Sequence, residues 1–124
     1  MRALIVDDSR AMRIILRRTL ASCGYDEIID AENGVAALET LDRGAIPDIA
    51  FVDWNMPEMN GIELVRALRA NSRFAPMALV VVTSETALEC LQEAIEAGAD
   101  EYIMKPFTPA ILREKLELVR AQRA

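Results

Sequence analysis

Five short apolar runs alternate with helical patterns along this chain. The runs are predicted strands at 3–6, 27–31, 49–53, 77–83 and 101–104, and the patterns between and after them predict helices over 10–22, 34–43, 61–71, 86–97 and 108–121. The first, third and fourth runs are almost uninterrupted in aliphatic residues, which is typical of parallel strands covered on both faces. The alternation therefore predicts an α/β fold around a buried parallel sheet.

Capping residues and an apolar stripe support these helices. Ser9 is the candidate N-cap of the first helix, whose inner stripe is predicted to be Met12, Ile15, Leu16, Thr19 and Leu20. Glycines stand where helix C-caps are expected, at Gly24, Gly44 and Gly98.

Composition and charge narrow the class of protein. The 124 residues are 52% hydrophobic, enough for one well-buried core, so residues 1–124 are expected to form a single domain with no output domain. The formal net charge of −6 should repel nucleic acid, so no direct nucleic-acid binding is expected. The sequence has no apolar stretch long enough to span a bilayer and no signal-peptide pattern at its start, which predicts a cytoplasmic protein without membrane insertion.

The cysteines are not expected to carry chemistry. Cys23 and Cys90 share no short spacing, and the chain contains no histidine. Neither a zinc site nor a Cys-His nucleophile can be built from this set, so both residues are interpreted as small apolar side chains.

Polar residues of few types stand where the predicted strands end. Asp7 and Asp8 follow the first strand. Asp53 ends the third strand, Thr83 ends the fourth, and Lys105 follows the fifth. If the strands are parallel, their carboxyl ends lie along one edge of the sheet, where open α/β folds bind their ligands. The five side chains are then neighbours in one site.

The motifs around these residues carry a family resemblance. IVDDSR, FVDWNMP, VVTSE and YIMKPF occur in that order, and together they resemble the receiver domain of bacterial response regulators over the whole chain. DWNMPEMNG and YIMKPFT are most similar to its stand-alone chemotaxis members. The resemblance implies a flavodoxin-like (βα)5 doubly wound fold, with strand order 2-1-3-4-5 and helices on both faces of the sheet. Alternation alone would permit other orders.

Given that order, a crevice opens between the first and third strands, and three carboxylates line it. Carboxylates about 4 Å apart repel one another by about 4 kcal/mol per pair at an effective dielectric of about 20, a cost that a bound cation would offset. An oxygen-only cluster fits Mg²⁺. The resemblance implies that Asp8, Asp53 and the main-chain carbonyl of Asn55 are direct ligands, and that Asp7 acts through water.

The expected chemistry is phosphoryl transfer to Asp53. A carboxylate can attack phosphorus once cations neutralise the phosphoryl oxygens, and the product is an aspartyl phosphate. Lys105 is expected to pair with Asp53 or its phosphate, and the Thr83 hydroxyl to donate to a phosphoryl oxygen. The resemblance further implies a cis peptide between Lys105 and Pro106.

The same resemblance implies switch residues, residues that control the lifetime of the phosphate, and protein partners. Thr83 and Tyr102 would be the switch residues, and Asn55 and Glu85 would control dephosphorylation. A histidine kinase would donate the phosphoryl group to a monomer, and a phosphatase is a further expected partner. The effector is expected to be a protein such as a flagellar motor switch protein, with the candidate contacts Leu88, Leu91, Tyr102 and Lys115.

Ordinary roles remain open for single residues. An Asp-Asp pair before a helix is often a capping feature. Tyr102 could be a plain strand aromatic, and Leu88 and Leu91 could be core residues at helical spacing. The arginines of the first helix, at positions 10, 13, 17 and 18, are most simply its solvated face.

Other functions compete with the response-regulator interpretation. An FMN binder of the same architecture needs hydroxyls and amides after the first strand, where this chain has two aspartates. A phosphorelay intermediate or an adaptor outside chemotaxis remains an alternative, as does a small phosphatase with an aspartyl nucleophile, which would turn over external phosphoesters. Intact Asp53, Thr83 and Lys105 argue against a receiver-shaped scaffold that only binds partners.

Overall fold

The computed structural model describes residues 1–44, 46–56, 58–84 and 88–123, with the backbone alone of Leu88. The strands are β1 (Arg2–Val6), β2 (Glu27–Ala31), β3 (Ile49–Asp53), β4 (Ala78–Thr83) and β5 (Glu101–Met104). The helices are α1 (Arg10–Ser22), α2 (Gly34–Arg43), α3 (Gly61–Arg69), α4 (Leu88–Ala97) and α5 (Pro109–Gln122), and a short 3-10 turn spans Ser72–Phe74. The predicted alternation of strands and helices is confirmed.

The five strands form one parallel sheet in the order β2-β1-β3-β4-β5. This is the 2-1-3-4-5 order that the resemblance implied, so the predicted fold class is confirmed. The chain leaves β1 toward β2 on one side and then returns to β3 on the other side. Such a reversal opens a crevice at the carboxyl ends of β1 and β3.

Alternate residues of each strand face two separate apolar layers. Leu4 and Val6 of β1 face the layer that is completed by α2, α3 and α4. Ala3 and Ile5 face the layer that is completed by α1 and α5. Because both faces are covered, β3 and β4 are buried along their whole length, as their unbroken aliphatic runs predict.

The first helix differs from its prediction in one residue of the inner stripe. Its N-cap is Ser9, whose hydroxyl accepts a hydrogen bond from the Met12 amide at 3.3 Å. Leu16, Thr19 and Leu20 are buried, but Ile15 is 47% exposed, so its assignment to the inner stripe is wrong. Ile15 lies about 100° around the helix from Leu16, which carries it past the edge of the buried face.

The predicted glycine caps have two backbone conformations. Gly24 and Gly98 follow α1 and α4 with φ of 96° and 117°, the left-handed region that favours glycine. Gly44 caps α2 at φ −128°, an extended conformation, so this position does not require a glycine for its backbone. Across the residues that the structure describes, no helix combines the length and the apolar character needed to cross a membrane.

Candidate functional site

Three aspartates meet at the crevice between β1 and β3. One carboxylate oxygen from each of Asp7, Asp8 and Asp53 lies within 4.8 Å of the others. Asp7 and Asp53 are only 1% and 5% exposed, whereas Asp8 is exposed. The crevice therefore holds two buried carboxylates and a third that faces solvent.

Lys105 brings a cation to this cluster from the end of β5, which is an edge strand of the sheet. Its ammonium donates to Asp53 Oδ1 at 3.0 Å and to Asp7 Oδ2 at 3.3 Å. The Lys105 amide donates to the Thr83 carbonyl at 2.7 Å, which extends the pairing of β4 and β5 past the end of the sheet. The peptide bond from Lys105 to Pro106 is cis. One lysine thus neutralises part of the charge of both buried aspartates.

Burial and charge act in opposite directions on this ion pair. Burial raises the pKa of the Asp53 carboxyl above its ordinary 3.8, against the hydrogen bond from Lys105, and the charges of Asp7 and Asp8 add to the rise. Burial also lowers the pKa of Lys105, but its bonds to Asp53 and Asp7 outweigh this effect, so the Lys105 pKa is raised above 10.5. One ammonium does not offset burial and two further carboxylates.

The two raised pKa values give pH dependences of the same sign in different pH ranges, because each contribution to stability is lost as pH rises. For Lys105, the contribution to stability is complete below its ordinary pKa and is lost as pH rises through the folded-state value. For Asp53, the ionised form is less stable in the folded chain than in the unfolded chain. Its contribution is therefore lost as pH rises from about 4 through the raised folded-state pKa.

We expect Asp53→Asn to stabilise the metal-free protein at neutral pH. The amide has the shape of the carboxylate without its desolvated charge, and Lys105 keeps Asp7 as a partner. Because burial and the charges of Asp7 and Asp8 outweigh the bond to Lys105, a gain of about 1 kcal/mol in EDTA is expected, with a rise in Tm of about 4 °C. Thermal denaturation at several pH values measures this gain, which should shrink toward about pH 4, where the wild-type carboxyl becomes neutral.

The control for this measurement is Asp42→Asn, which makes the same change at an exposed position on α2. It should alter stability by no more than about 0.5 kcal/mol. An Asp53→Asn protein that is less stable than wild type in EDTA at pH 7 would contradict this account of the site.

The other predicted site residues differ in their burial. Thr83 is buried at the end of β4, beside Met104 in the register of β4 and β5. Asn55 is exposed, two residues after Asp53. Glu85 lies outside the described residues, as does the side chain of Leu88.

Tyr102 belongs to a different surface from the aspartates. It pairs with Val81 in the sheet. The ammonium of Lys115 lies over its half-buried ring, 4.5 Å from the ring centroid, and donates a hydrogen bond to Glu101 at 3.2 Å. Together with residues of α4 it lines a surface groove, whose other members are Leu91, Gln92, Ile95 and Glu96. Leu91 is partly exposed there, so the core interpretation does not account for all of its surface.

The structure adds two residues that sequence reasoning did not connect to the site. A Cβ at Gly61 would collide with the Asp53 carbonyl oxygen, so a glycine is required where α3 starts against the Asp53 backbone. Arg13 does not lie on the solvated face that its sequence pattern indicates, because Nη1 of its guanidinium donates to the Asp7 carbonyl at 2.7 Å. The position of Gly61, just after the candidate strand-to-helix loop, is a signal in the sequence. Nothing in the sequence indicates that the Arg13 side chain turns toward Asp7.

The donor set suits a hard divalent cation. Carboxylate oxygens converge from three residues, and neither histidine nor cysteine is among them. Mg²⁺ prefers oxygen ligands and binds with one or two carboxylates while it keeps several waters. The exposed Asp8 leaves one side of the cluster open to such waters, so the residues fit Mg²⁺.

Comparisons with known proteins point to one family. A family model described as "Response regulator receiver domain" matches residues 3–117. The chain is 46% identical over 119 residues to "Chemotaxis protein CheY1" of Helicobacter pylori, covering 96% of each chain. It is 44% identical to "Chemotaxis protein CheY homolog" of Campylobacter jejuni, covering 94% of this chain and 90% of that one.

Solved structures agree in fold. A high resolution structure of the chemotaxis response regulator CheY4 of Vibrio cholerae is similar with a TM-score of 0.87 at 36% identity, over 95% of this chain and 97% of that one. A receiver domain protein from Methanospirillum hungatei is similar with a TM-score of 0.84 at 33% identity, over 98% and 94% of the two chains.

Proposed function

This chain belongs to the response regulator receiver domain family, and from that premise we propose that Asp53 accepts a phosphoryl group from a histidine kinase. The observation that carries the proposal is the bond from Lys105 to Asp53, at 3.0 Å, inside a cluster of three carboxylates. A buried nucleophile beside a fixed ammonium, at the carboxyl edge of a parallel sheet, suits phosphoryl transfer.

The reaction follows from the positions of these groups. An Asp53 carboxylate oxygen forms the new bond to phosphorus, while the bond from phosphorus to the donor imidazole breaks and the imidazole leaves with the electron pair. Lys105 then transfers its hydrogen bond from the carboxylate to a phosphoryl oxygen. The Thr83 hydroxyl at the neighbouring strand end is proposed to donate to another phosphoryl oxygen.

Mg²⁺ is the proposed cofactor, and when bound it supplies positive charge to the phosphoryl oxygens. Asp8, Asp53 and the carbonyl of Asn55 are the proposed direct ligands, with Asp7 acting through water. Asp7 is suited to that indirect role because its carboxylate already accepts bonds from the Ser9 amide at 2.8 Å and from Lys105.

The test is chemical labelling of the purified protein. Incubation with a small acyl phosphate and Mg²⁺ should add the mass of one phosphoryl group, and EDTA should prevent the addition. The sole tryptophan, Trp54, follows the nucleophile directly and should change its fluorescence when Mg²⁺ binds. Labelling that is complete in EDTA would refute the metal assignment.

A chemotaxis role is proposed for the signal. The relatives from Helicobacter pylori and Campylobacter jejuni carry chemotaxis names. The effector would be a protein such as a flagellar motor switch protein, and the cytoplasm would be the site of both phosphorylation and binding. The proposed contact surface is the groove of α4 and β5, with Leu91 and Tyr102 as apolar contacts and Lys115 beside them.

Thr83→Ala should accept phosphate yet lose most of the phosphorylation-dependent gain in effector affinity. The proposed switch draws the Thr83 hydroxyl toward the phosphoryl group, which makes room for Tyr102 on the neighbouring strand. Coupling between sites is typically about 1–3 kcal/mol, or about 5–150-fold in affinity. Binding of a purified flagellar motor switch protein, with and without phosphorylation, measures how much of this gain the variant retains.

Thr83→Ser is the matched control because it keeps the hydroxyl, and it should retain most of the gain. If Thr83→Ala retains the full gain, coupling does not run through this hydroxyl.

Asn55 is proposed to influence the lifetime of the phosphate because it is exposed two residues beyond the nucleophile, and Glu85 is proposed as the second such position.

A further inference from the structure

Arg13 reaches from α1 to the backbone of the metal site. Its Nη1 donates to the main-chain oxygen of Asp7 at 2.7 Å, and its side chain is only 18% exposed. On its other side, Nε lies 3.9 Å from Asp30 Oδ2 at the end of β2. The guanidinium therefore joins β2 to the turn that follows β1.

The bond from Arg13 completes the polar contacts of Asp7. The Asp7 amide donates to the Ala31 carbonyl at 3.1 Å, and its two carboxylate oxygens accept from Ser9 and Lys105. With Arg13 on the carbonyl, every polar atom of Asp7 is held by the protein. Asp8 is different, because its carboxylate has no hydrogen-bond or ion-pair partner within the described part of the chain.

The Asp7 carbonyl and the Asp8 amide belong to one planar peptide group. A hydrogen bond to that carbonyl fixes the orientation of the peptide plane. The orientation of this plane influences the direction of the Asp8 side chain at its Cα. We propose that Arg13 is a positioning residue that directs the Asp8 carboxylate toward Asp7 and Asp53. This inference rests on the proposed binding of Mg²⁺ at the cluster.

Charge alone predicts the opposite effect on metal affinity. A guanidinium close to three carboxylates competes with a bound cation, so its removal would strengthen Mg²⁺ binding on Coulombic grounds. A positioning role predicts that removal weakens binding, since partners that orient metal ligands typically contribute about 10–100-fold in affinity. The sign of the change therefore separates the two roles.

Arg17 is a matched control one turn along the same helix. It also pairs with Asp30, at 3.4 Å, and donates to a main-chain carbonyl, that of Ile28, at 2.9 Å. It has no hydrogen bond to Asp7. Arg13→Met and Arg17→Met each remove one charge and one Asp30 pair while keeping an apolar stem, but only the first releases the Asp7 carbonyl.

The experiment is a Mg²⁺ titration followed by Trp54 fluorescence, with thermal denaturation in EDTA to confirm that each variant is folded. Arg13→Met should weaken Mg²⁺ binding about 10-fold, while Arg17→Met should stay within about twofold of wild type. Arg13→Lys retains a donor on a long stem and should recover part of the lost affinity. Equal affinities for Arg13→Met and Arg17→Met, or tighter binding by Arg13→Met, would overturn the inference.

Amide hydrogen exchange at Ser9, measured in EDTA, tests the position of the peptide without the metal, because the Ser9 amide donates to Asp7 Oδ1 at 2.8 Å across the Asp7–Asp8 peptide. Arg13→Met should accelerate this exchange, and Arg17→Met should not. If wild type shows no response to Mg²⁺, the magnesium proposal fails. The exchange result then decides alone whether Arg13 holds this peptide, and unchanged exchange in Arg13→Met would count against it.

Discussion

Asp53→Asn is expected to abolish incorporation of phosphate from a small acyl phosphate in the presence of Mg²⁺. The amide cannot form an acyl phosphate under these conditions, and the other two carboxylates of the cluster are proposed to serve the metal ion. Asp7 accepts from Ser9 and Lys105, and Asp8 faces solvent. Mass spectrometry of the intact protein measures the incorporation directly.

The control for this loss is Asp42→Asn, which should be labelled as completely as wild type. Thermal denaturation of Asp53→Asn, which is expected to be more stable than wild type in EDTA, separates lost labelling from unfolding. Labelling of Asp53→Asn at the wild-type level would show that the phosphoryl group is carried by another residue.

Asp100→Ala is expected to cost about 3 kcal/mol of folding stability. Asp100 and Arg69 are 17% and 18% exposed, and they form an ion pair at 2.9 Å between the end of α3 and the residue before β5. Asp100 also accepts the Leu79 amide at 2.8 Å and pairs with Arg123 at 3.0 Å. Its removal leaves a half-buried guanidinium without its carboxylate and a strand amide without its acceptor.

The electrostatics of Arg69 explain why the loss of Asp100 is costly. Burial lowers the pKa of its guanidinium, and Asp100 opposes that effect. Arg69 also donates to the carbonyls of Gly98 and Met77 at 2.9 and 2.8 Å, so its position is fixed whether or not Asp100 is present. The unpaired charge would therefore remain in its half-buried place.

Urea denaturation measures this cost, and Glu93→Ala is the matched control. Glu93 pairs with Arg66 at 3.5 Å between α3 and α4, but both side chains are about half exposed, so its loss should cost no more than about 0.5 kcal/mol. Asp100 lies near the amino ends of the strands, opposite the aspartate cluster. Folded Asp100→Ala should consequently still accept phosphate, and equal stabilities of the two variants would contradict the structural role of the pair.

The sequence by itself determined the elements and the identities of the residues at the strand ends. Hydrophobic period and capping residues act over neighbouring positions, so β1 to β5 and Ser9 as N-cap were predictable from contiguous residues. Asp7, Asp53 and Lys105 were identifiable as strand-end residues for the same reason. Their place along one edge follows from parallel strands, but their meeting in one crevice required the strand order, which came from the family resemblance and not from the pattern.

Only the tertiary structure decided the contacts between residues distant along the chain. Lys105 reaches Asp7 across 98 positions, and Arg69 pairs with Asp100 across 31. Arg13 and Ile15 show the same limit on a single helix, since the first turns inward to the Asp7 carbonyl and the second faces solvent. A side chain's surroundings depend on which helices and strands pack against it, and local periodicity carries no information about that packing.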